Sequence, residues 1–166
     1  NNYVYIDLIN NDIKCDDYSL LAKEISDVNF GVGSDGLILI YPSNKADAKM
    51  VMYNKDGTEG DMCGNGIRCV AKYVYENVVK KENMLIETKS GIKNIKIKTH
   101  NNKVKSVVVD MGKPILNAKK IPVCTDLNEI VNKEFLFDNK ILNITCVSMG
   151  NPHAVIFTDD VNDIEK

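Results

Sequence analysis

The sequence predicts an α+β fold in which one apolar helix is wrapped by β-sheet. Two observations carry this. From Gly64 to about Val79, apolar residues recur at three- and four-residue spacing (Ile67, Val70, Ala71, Val74, Val78), the signature of a helix with one buried face. On both sides of that helix lie short strand-like runs broken by Gly or Asn turns. In chain order, Val4–Leu8 reads as a strand. Asp17–Ser26 reads as a helix with Leu20, Leu21 and Ile25 on one face, started by Asp16 or Asp17. A Gly-rich turn, Gly31–Gly36, leads into the strand Leu37–Tyr41, and Ala48–Tyr53 alternates as a further strand before the turn signal Asn54-Lys55-Asp56-Gly57. Beyond the central helix come Met84–Thr88, Ile92–Thr99 and Val104–Met111, then a boundary at Lys113-Pro114. Short strands at Leu136–Phe137, Ile141–Val147 and Ala154–Phe157 follow. Residues 1–114 therefore form one domain. Residues 115–166 form a second segment, so small that it is expected to struggle to bury a core unaided.

Composition narrows the class. The chain of 166 residues is 44% hydrophobic and 27% charged, which excludes disorder, collagen and coiled coil. No apolar run approaches the roughly 18 residues of a membrane span. A formal charge of −2 gives no case for a nucleic-acid or anionic-membrane partner. Five Cys without a CxxC pair are neither a disulfide framework nor a zinc pattern, so the reducing cytoplasm is the expected compartment. The Asn143-Ile144-Thr145 triplet fits a glycosylation sequon, but nothing else in the chain looks secreted. Of 21 basic residues only one, Arg68, is arginine, which hints at a need for its planar, permanently charged fork.

Three segments could carry chemistry. Gly31–Gly36 matches GxGxxG, but a strand follows where a dinucleotide site needs a helix, so these glycines are expected to serve a turn. Cys63 stands immediately before Gly64-Asn65-Gly66 at the start of the apolar helix. Unpaired N–H groups and the positive end of a helix favour thiolate over thiol, and the same N–H groups can bind a carboxylate. That pairing suits chemistry at the carbon beside a carboxyl group. The alternative is a buried Cys at a Gly-rich helix start, and Cys69 is expected to pack in the core. The third segment, Met149-Gly150-Asn151-Pro152-His153, places Asn151 and His153 on a loop, read either as ligand contacts or as a plain Asn-Pro turn. His100 is read as solvated surface.

The run Asn54-x-Asp56-Gly57-x-Glu59, followed by Cys63-Gly64-Asn65-Gly66-x-Arg68, resembles the first active-site signature of the diaminopimelate epimerases. Asn1-Asn2-Tyr3-Val4-x-Ile6-Asp7, Gly31-Val32-Gly33-x-Asp35 and Gly150-Asn151-Pro152-His153 resemble further blocks of that family, in the same order. The resemblance implies two pseudo-symmetric halves, each a mixed sheet around a central helix. It implies interconversion of LL- and meso-diaminopimelate without pyridoxal phosphate or metal, in lysine and peptidoglycan-precursor biosynthesis. One cysteine removes the α-proton and a second, on the opposite face, returns one. Residue by residue, it makes Cys63 one acid/base. It has Gly64 and Asn65 bind the reacting carboxylate through backbone N–H groups, and His153 help arrange the reacting centre. Asn1, Asn54 and Asn151 become substrate contacts, the last two at the distal end.

The family's second signature, Ala-Cys-Gly-Thr/Ser-Gly with an upstream Glu-Arg pair, is not matched. None of Cys15, Cys69, Cys124 or Cys146 is followed by Gly. The second domain is therefore expected to be incomplete, its sheet edges inviting association with another chain, a homodimer being the simple case. Gly36 stands where some members carry Gln. Proline racemase-like enzymes of the same fold carry His where this chain has Asn65. A thiol hydrolase using Cys63 and His153 would instead form an acyl intermediate, and a binding module would do no chemistry.

Overall fold

The computed structural model describes residues 1–159, so most of the polar stretch Asp159–Lys166 lies outside the described residues. The chain divides into two compact units, one of Asn1–Met111 and one beginning at Gly112. The first unit contains β1 (Tyr3–Asp7), α1 (Tyr18–Ser26), β2 (Gly36–Tyr41), β3 (Ala48–Asn54), β4 (Glu59–Gly60), α2 (Gly64–Asn77), β5 (Asn83–Thr88), β6 (Gly91–His100) and β7 (Lys103–Val109). Its sheet runs β1-β2-β3-β5-β6-β7, with β4 paired to β3. The β1–β2 and β3–β5 pairs are parallel and the others antiparallel, so the sheet is mixed, as expected.

The two faces of the sheet explain the sequence pattern. Ile38 and Ile40 of β2, Met50 and Met52 of β3, Met84 and Ile86 of β5, and Ile95 and Ile97 of β6 pack with Ile67, Val70, Ala71, Val74 and Tyr75 of α2. Burying each of the larger side chains contributes about 1.5–3 kcal/mol. The opposite face of β1–β3 offers Leu37 and Leu39 to Ala22 of α1, with Val4, Ile6, Val51 and Tyr53 around them. The middle strand is thus covered on both sides, which is why Leu37–Tyr41 reads as a continuous apolar run.

Helix α1 begins at Asp17, whose carboxylate accepts the N–H groups of Ser19 (2.9 Å) and Leu20 (3.0 Å). Asp17 rather than Asp16 is the cap. Its buried positions are Ala22 and Ser26, while Leu20 is 52% exposed, contrary to the face expected from sequence. Leu20 lies about 100° around the helix from Leu21 and cannot share its face.

Asp7 ends β1 and ties it to α2. Its carboxylate accepts the Tyr73 hydroxyl at 2.8 Å and the Asn10 amide at 2.7 Å. Partial burial pushes its pKa up, but these hydrogen bonds and those from the Ile9 and Asn10 N–H groups outweigh it and hold the carboxyl below its usual value. A depressed folded-state pKa means stability that is present above the unfolded value of about 3.9 and is lost as pH falls through the folded one. Tyr73→Phe is accordingly expected to cost about 1 kcal/mol at neutral pH. Urea denaturation of both proteins against pH checks this, and the difference should shrink below about pH 4.

Two hairpins turn through paired left-handed residues. Asn101 (φ 50°) and Asn102 (φ 60°) join β6 to β7. In the second unit Asp138 (φ 48°) and Asn139 (φ 61°) join β8 (Lys133–Phe137) to β9 (Lys140–Ser148). This is the conformation that two-residue hairpins demand, and Asn and Asp tolerate it best. The second unit adds β10 (Pro152–Ile156) in an antiparallel order β10-β9-β8, and a 3₁₀ turn at Ala118–Lys120. Its core is small: Ile121, Ile130 and Cys146, with Val123 and Ile144 alongside. Leu136, Phe137 and Ile141 stand largely exposed. Among the described residues no helix is long and apolar enough to cross a membrane.

Candidate functional site

Strand register builds the site in the first unit. Tyr3, Gly36 and Asn54 sit side by side on β1, β2 and β3. Asp35 ties this row together. Its carboxylate accepts the Asn2 N–H at 2.7 Å, its own N–H donates to the Asn2 carbonyl at 2.6 Å, and its carbonyl accepts the Lys55 N–H at 3.1 Å. After Asn54 the chain reverses through a tight turn in which Gly57 has φ 80° and its N–H donates to the Asn54 carbonyl. The Asn54 amide donates to the Thr58 hydroxyl at 3.0 Å, and Asp56 accepts both the N–H and the hydroxyl of Thr58. The two-residue strand β4 then delivers the chain to Cys63.

Cys63 is the N-cap of α2. Its backbone is extended (φ −130°, ψ 109°) and its Sγ accepts the Gly66 N–H at 3.3 Å. Sulfur thus takes the place that a Ser or Asp oxygen commonly fills at a helix start. The thiol is half-buried, against the core that α2 shares with Tyr3 and Tyr5. Burial, and secondarily contact with Cys63, pushes the Tyr3 hydroxyl pKa up to about 12. Sequence reading missed Tyr3, because only the register of β1 against β2 brings it there.

The N–H group at Gly66 is taken by Cys63, which trims the three-donor clamp expected from sequence to Gly64 and Asn65. Those two positions open the helix, where N–H groups have no intrahelical acceptor. A side chain added at Gly64 would meet nothing within 4 Å, whereas one at Gly66 would come within 2.6 Å of the Ile38 side chain. The first glycine leaves open approach and the third permits close packing. The Asn65 side chain donates to Asn1 Oδ1 at 2.9 Å and accepts from the Arg68 guanidinium. Asn1, Asn54, Gly64, Asn65 and Cys63 thus belong to one unit, with Asn1 bonded directly to Asn65.

Asn151 and His153 belong to the second unit. His153 Nε2 and Asn151 Oδ1 are 3.0 Å apart and both residues are exposed. His153 lies within β10 rather than on the expected loop; its register partner is Val147. Cys69 corrects a second expectation, since it is exposed rather than packed in the core. Iodoacetamide should therefore label Cys69 and Cys124 readily in the folded protein and Cys146, which is buried, only on unfolding. Mass mapping of the alkylated peptides with and without urea checks this. Among the described residues no three His, Cys, Asp or Glu side chains are grouped to hold a metal ion.

Known proteins share this fold. Solved structures similar to the chain include a hydroxyproline epimerase from Agrobacterium vitis (TM-score 0.65, 15% identity, 88% of this chain and 40% of that one). A PhzF-family phenazine biosynthesis protein from Bacillus anthracis is also similar (TM-score 0.55, 22% identity, 89% and 47%). At those identities they show the fold alone. Curated diaminopimelate epimerases are much nearer in sequence. That of Oceanobacillus iheyensis is 49% identical over 97% of this chain and 57% of its own length. That of Methanococcus maripaludis strain S2 is 46% identical over 98% and 58%. The chain thus spans under three-fifths of the length of these relatives. The family model described as diaminopimelate epimerase matches residues 1–117, a stretch that holds the capped Cys63, the open Gly64 and the row of Tyr3, Gly36 and Asn54. On that match and those identities, the chain belongs to the diaminopimelate epimerase family.

Proposed function

We propose that the protein to which this chain belongs interconverts LL- and meso-diaminopimelate by proton transfer at the α-carbon, a step of lysine and peptidoglycan-precursor biosynthesis. The observation that supports this most is the placement of Cys63 as a sulfur N-cap beside two open helix-start N–H groups. A carboxylate held by Gly64 and Asn65 N–H groups sets its α-carbon next to the thiolate and stabilises the negative charge that spreads into the carboxylate as the α-proton leaves. The proton passes to Cys63 sulfur, the carbon becomes planar, and an acid on the opposite face delivers a different proton with inversion. That second acid matches none of the other four cysteines by motif.

Asn1 and Asn54 would then contact the substrate in the first unit. For Asn151 and His153 the reading assigns recognition of the distal end and arrangement of the reacting centre. Neither step calls for a cofactor. The test uses the protein from the full reading frame with diaminopimelate in deuterated water. Deuterium should enter the α-position while the two stereoisomers interconvert. Protein that is folded by circular dichroism yet gives neither change would sink the proposal, and a burst of product from an activated ester would favour a thiol hydrolase instead.

A further inference from the structure

We infer that Arg68 is a positioning residue that sets the direction of a hydrogen-bond relay ending on Asn1, so that Asn1 presents a donor to a substrate oxygen. Three side chains form the relay. The Arg68 guanidinium donates to Asn65 Oδ1, and Asn65 Nδ2 donates to Asn1 Oδ1 at 2.9 Å. An amide whose oxygen is aimed at a donor turns its NH₂, the other arm of the same planar group, away from that donor. The cation fixes this at the start of the relay. Arg68 carries donors and no acceptor, so the Asn65 oxygen must face it and the Asn65 NH₂ must face away, toward Asn1. The same step repeated leaves Asn1 Nδ2 as the outward end. The first link is charge-assisted and polarises those beyond it.

The rest of the molecule agrees. Arg68 and Asn65 are three apart on α2 and therefore neighbours on its surface. The two ion pairs found among the described residues, Lys81–Asp47 and Lys89–Asp61, do not use Arg68. Among 21 basic residues this position alone is Arg, whose rigid fork holds a planar amide more firmly than a flexible ammonium does. The relay also gives the Asn65 side chain its own role, separate from its backbone N–H. By this geometry the arm of Asn1 turned away from Asn65 is a donor, which suits a carboxylate oxygen.

The kinetic readout rests on the proposed function, so the experiment has a second arm that does not. In the complete protein, Arg68→Met is expected to raise KM for diaminopimelate roughly tenfold, the loss of one charge-assisted hydrogen bond, with kcat changed by less than about threefold. Arg68→Lys, which keeps a charged donor but not the planar fork, should recover only part of the loss. In an Asn65→Ala background Arg68→Met should add less than about twofold, because the relay is already broken. A full additional tenfold there would mean that Arg68 meets the substrate itself and would overturn the inference. The second arm follows the Asn65 side-chain NH₂ signals by NMR without substrate. They should shift and exchange faster in Arg68→Met than in the parent, and unchanged signals would also overturn it. If the parent protein shows no α-proton exchange at all, the proposed function fails while the NMR arm still decides the relay.

Discussion

Replacing Cys63 with alanine or serine in the complete enzyme is expected to lower the interconversion of diaminopimelate stereoisomers by roughly 10²- to 10⁴-fold, the range that one positioned acid/base contributes. Serine makes the sharper test. Its hydroxyl still accepts the Gly66 N–H and caps α2, whereas alanine gives up the cap at a cost of about 1 kcal/mol. A folded, inactive Cys63→Ser protein therefore isolates the loss of the thiol from the loss of the helix start. The two-base scheme adds a finer expectation. With Cys63 disabled, the base on the opposite face still reaches the α-proton of one stereoisomer, so residual exchange into deuterated water should be confined to that isomer. Equal exchange from both isomers in Cys63→Ser, measured by proton NMR, would show that Cys63 is not one of the two groups.

Gly36→Ala is expected to destabilise the first unit by about 3 kcal/mol or more, a drop in melting temperature of roughly 10 °C. Gly36 has φ 152°, and a Cβ built there falls 2.1 Å from the Tyr53 carbonyl oxygen. That oxygen belongs to backbone inside the β2–β3 ladder and cannot swing aside as a side chain would. The strand itself must move, and with it the row of Tyr3, Gly36 and Asn54. Differential scanning calorimetry of the variant checks the figure, and a melting temperature within about 2 °C of the parent would refute it.

The fold was legible where burial imposes a period. The α2 stripe of Ile67, Val70, Ala71 and Val74 is buried as its spacing predicts, and the uninterrupted run Leu37–Tyr41 is the strand with helices on both faces. The misses have physical causes. The two residues of β4 are too few to show any period. Cys69 sits about 200° around the helix from Ile67, so the helical period itself places it outward; its apolar character misled the reading. For His153, the Asn-Pro turn signal hides a strand that starts two residues earlier than expected, at Pro152, and pairs with β9. The candidate site divides the same way. Cys63 and its Gly-Asn-Gly turn are contiguous and could be read directly. The link between Asn1 and Asn65 crosses 64 positions and depends on the parallel register of β1 and β2, which no local pattern encodes.

The left-handed turns at Asn101–Asn102 and Asp138–Asn139 set an order of events when the chain folds. Each closes a hairpin between strands adjacent in sequence, and such hairpins form in roughly 1–10 μs. The β1–β2 ladder instead joins Tyr3 to Gly36, and the Asn1–Asn65 bond spans 64 residues, so their loop-closure entropy must be met before any contact rewards it. Refolding is therefore expected to proceed from the β6–β7 ribbon toward β1. The Asn1–Asn65 link is then expected to be the last part of the site corner to take shape, and the first to open when the edge strand β1 peels from β2.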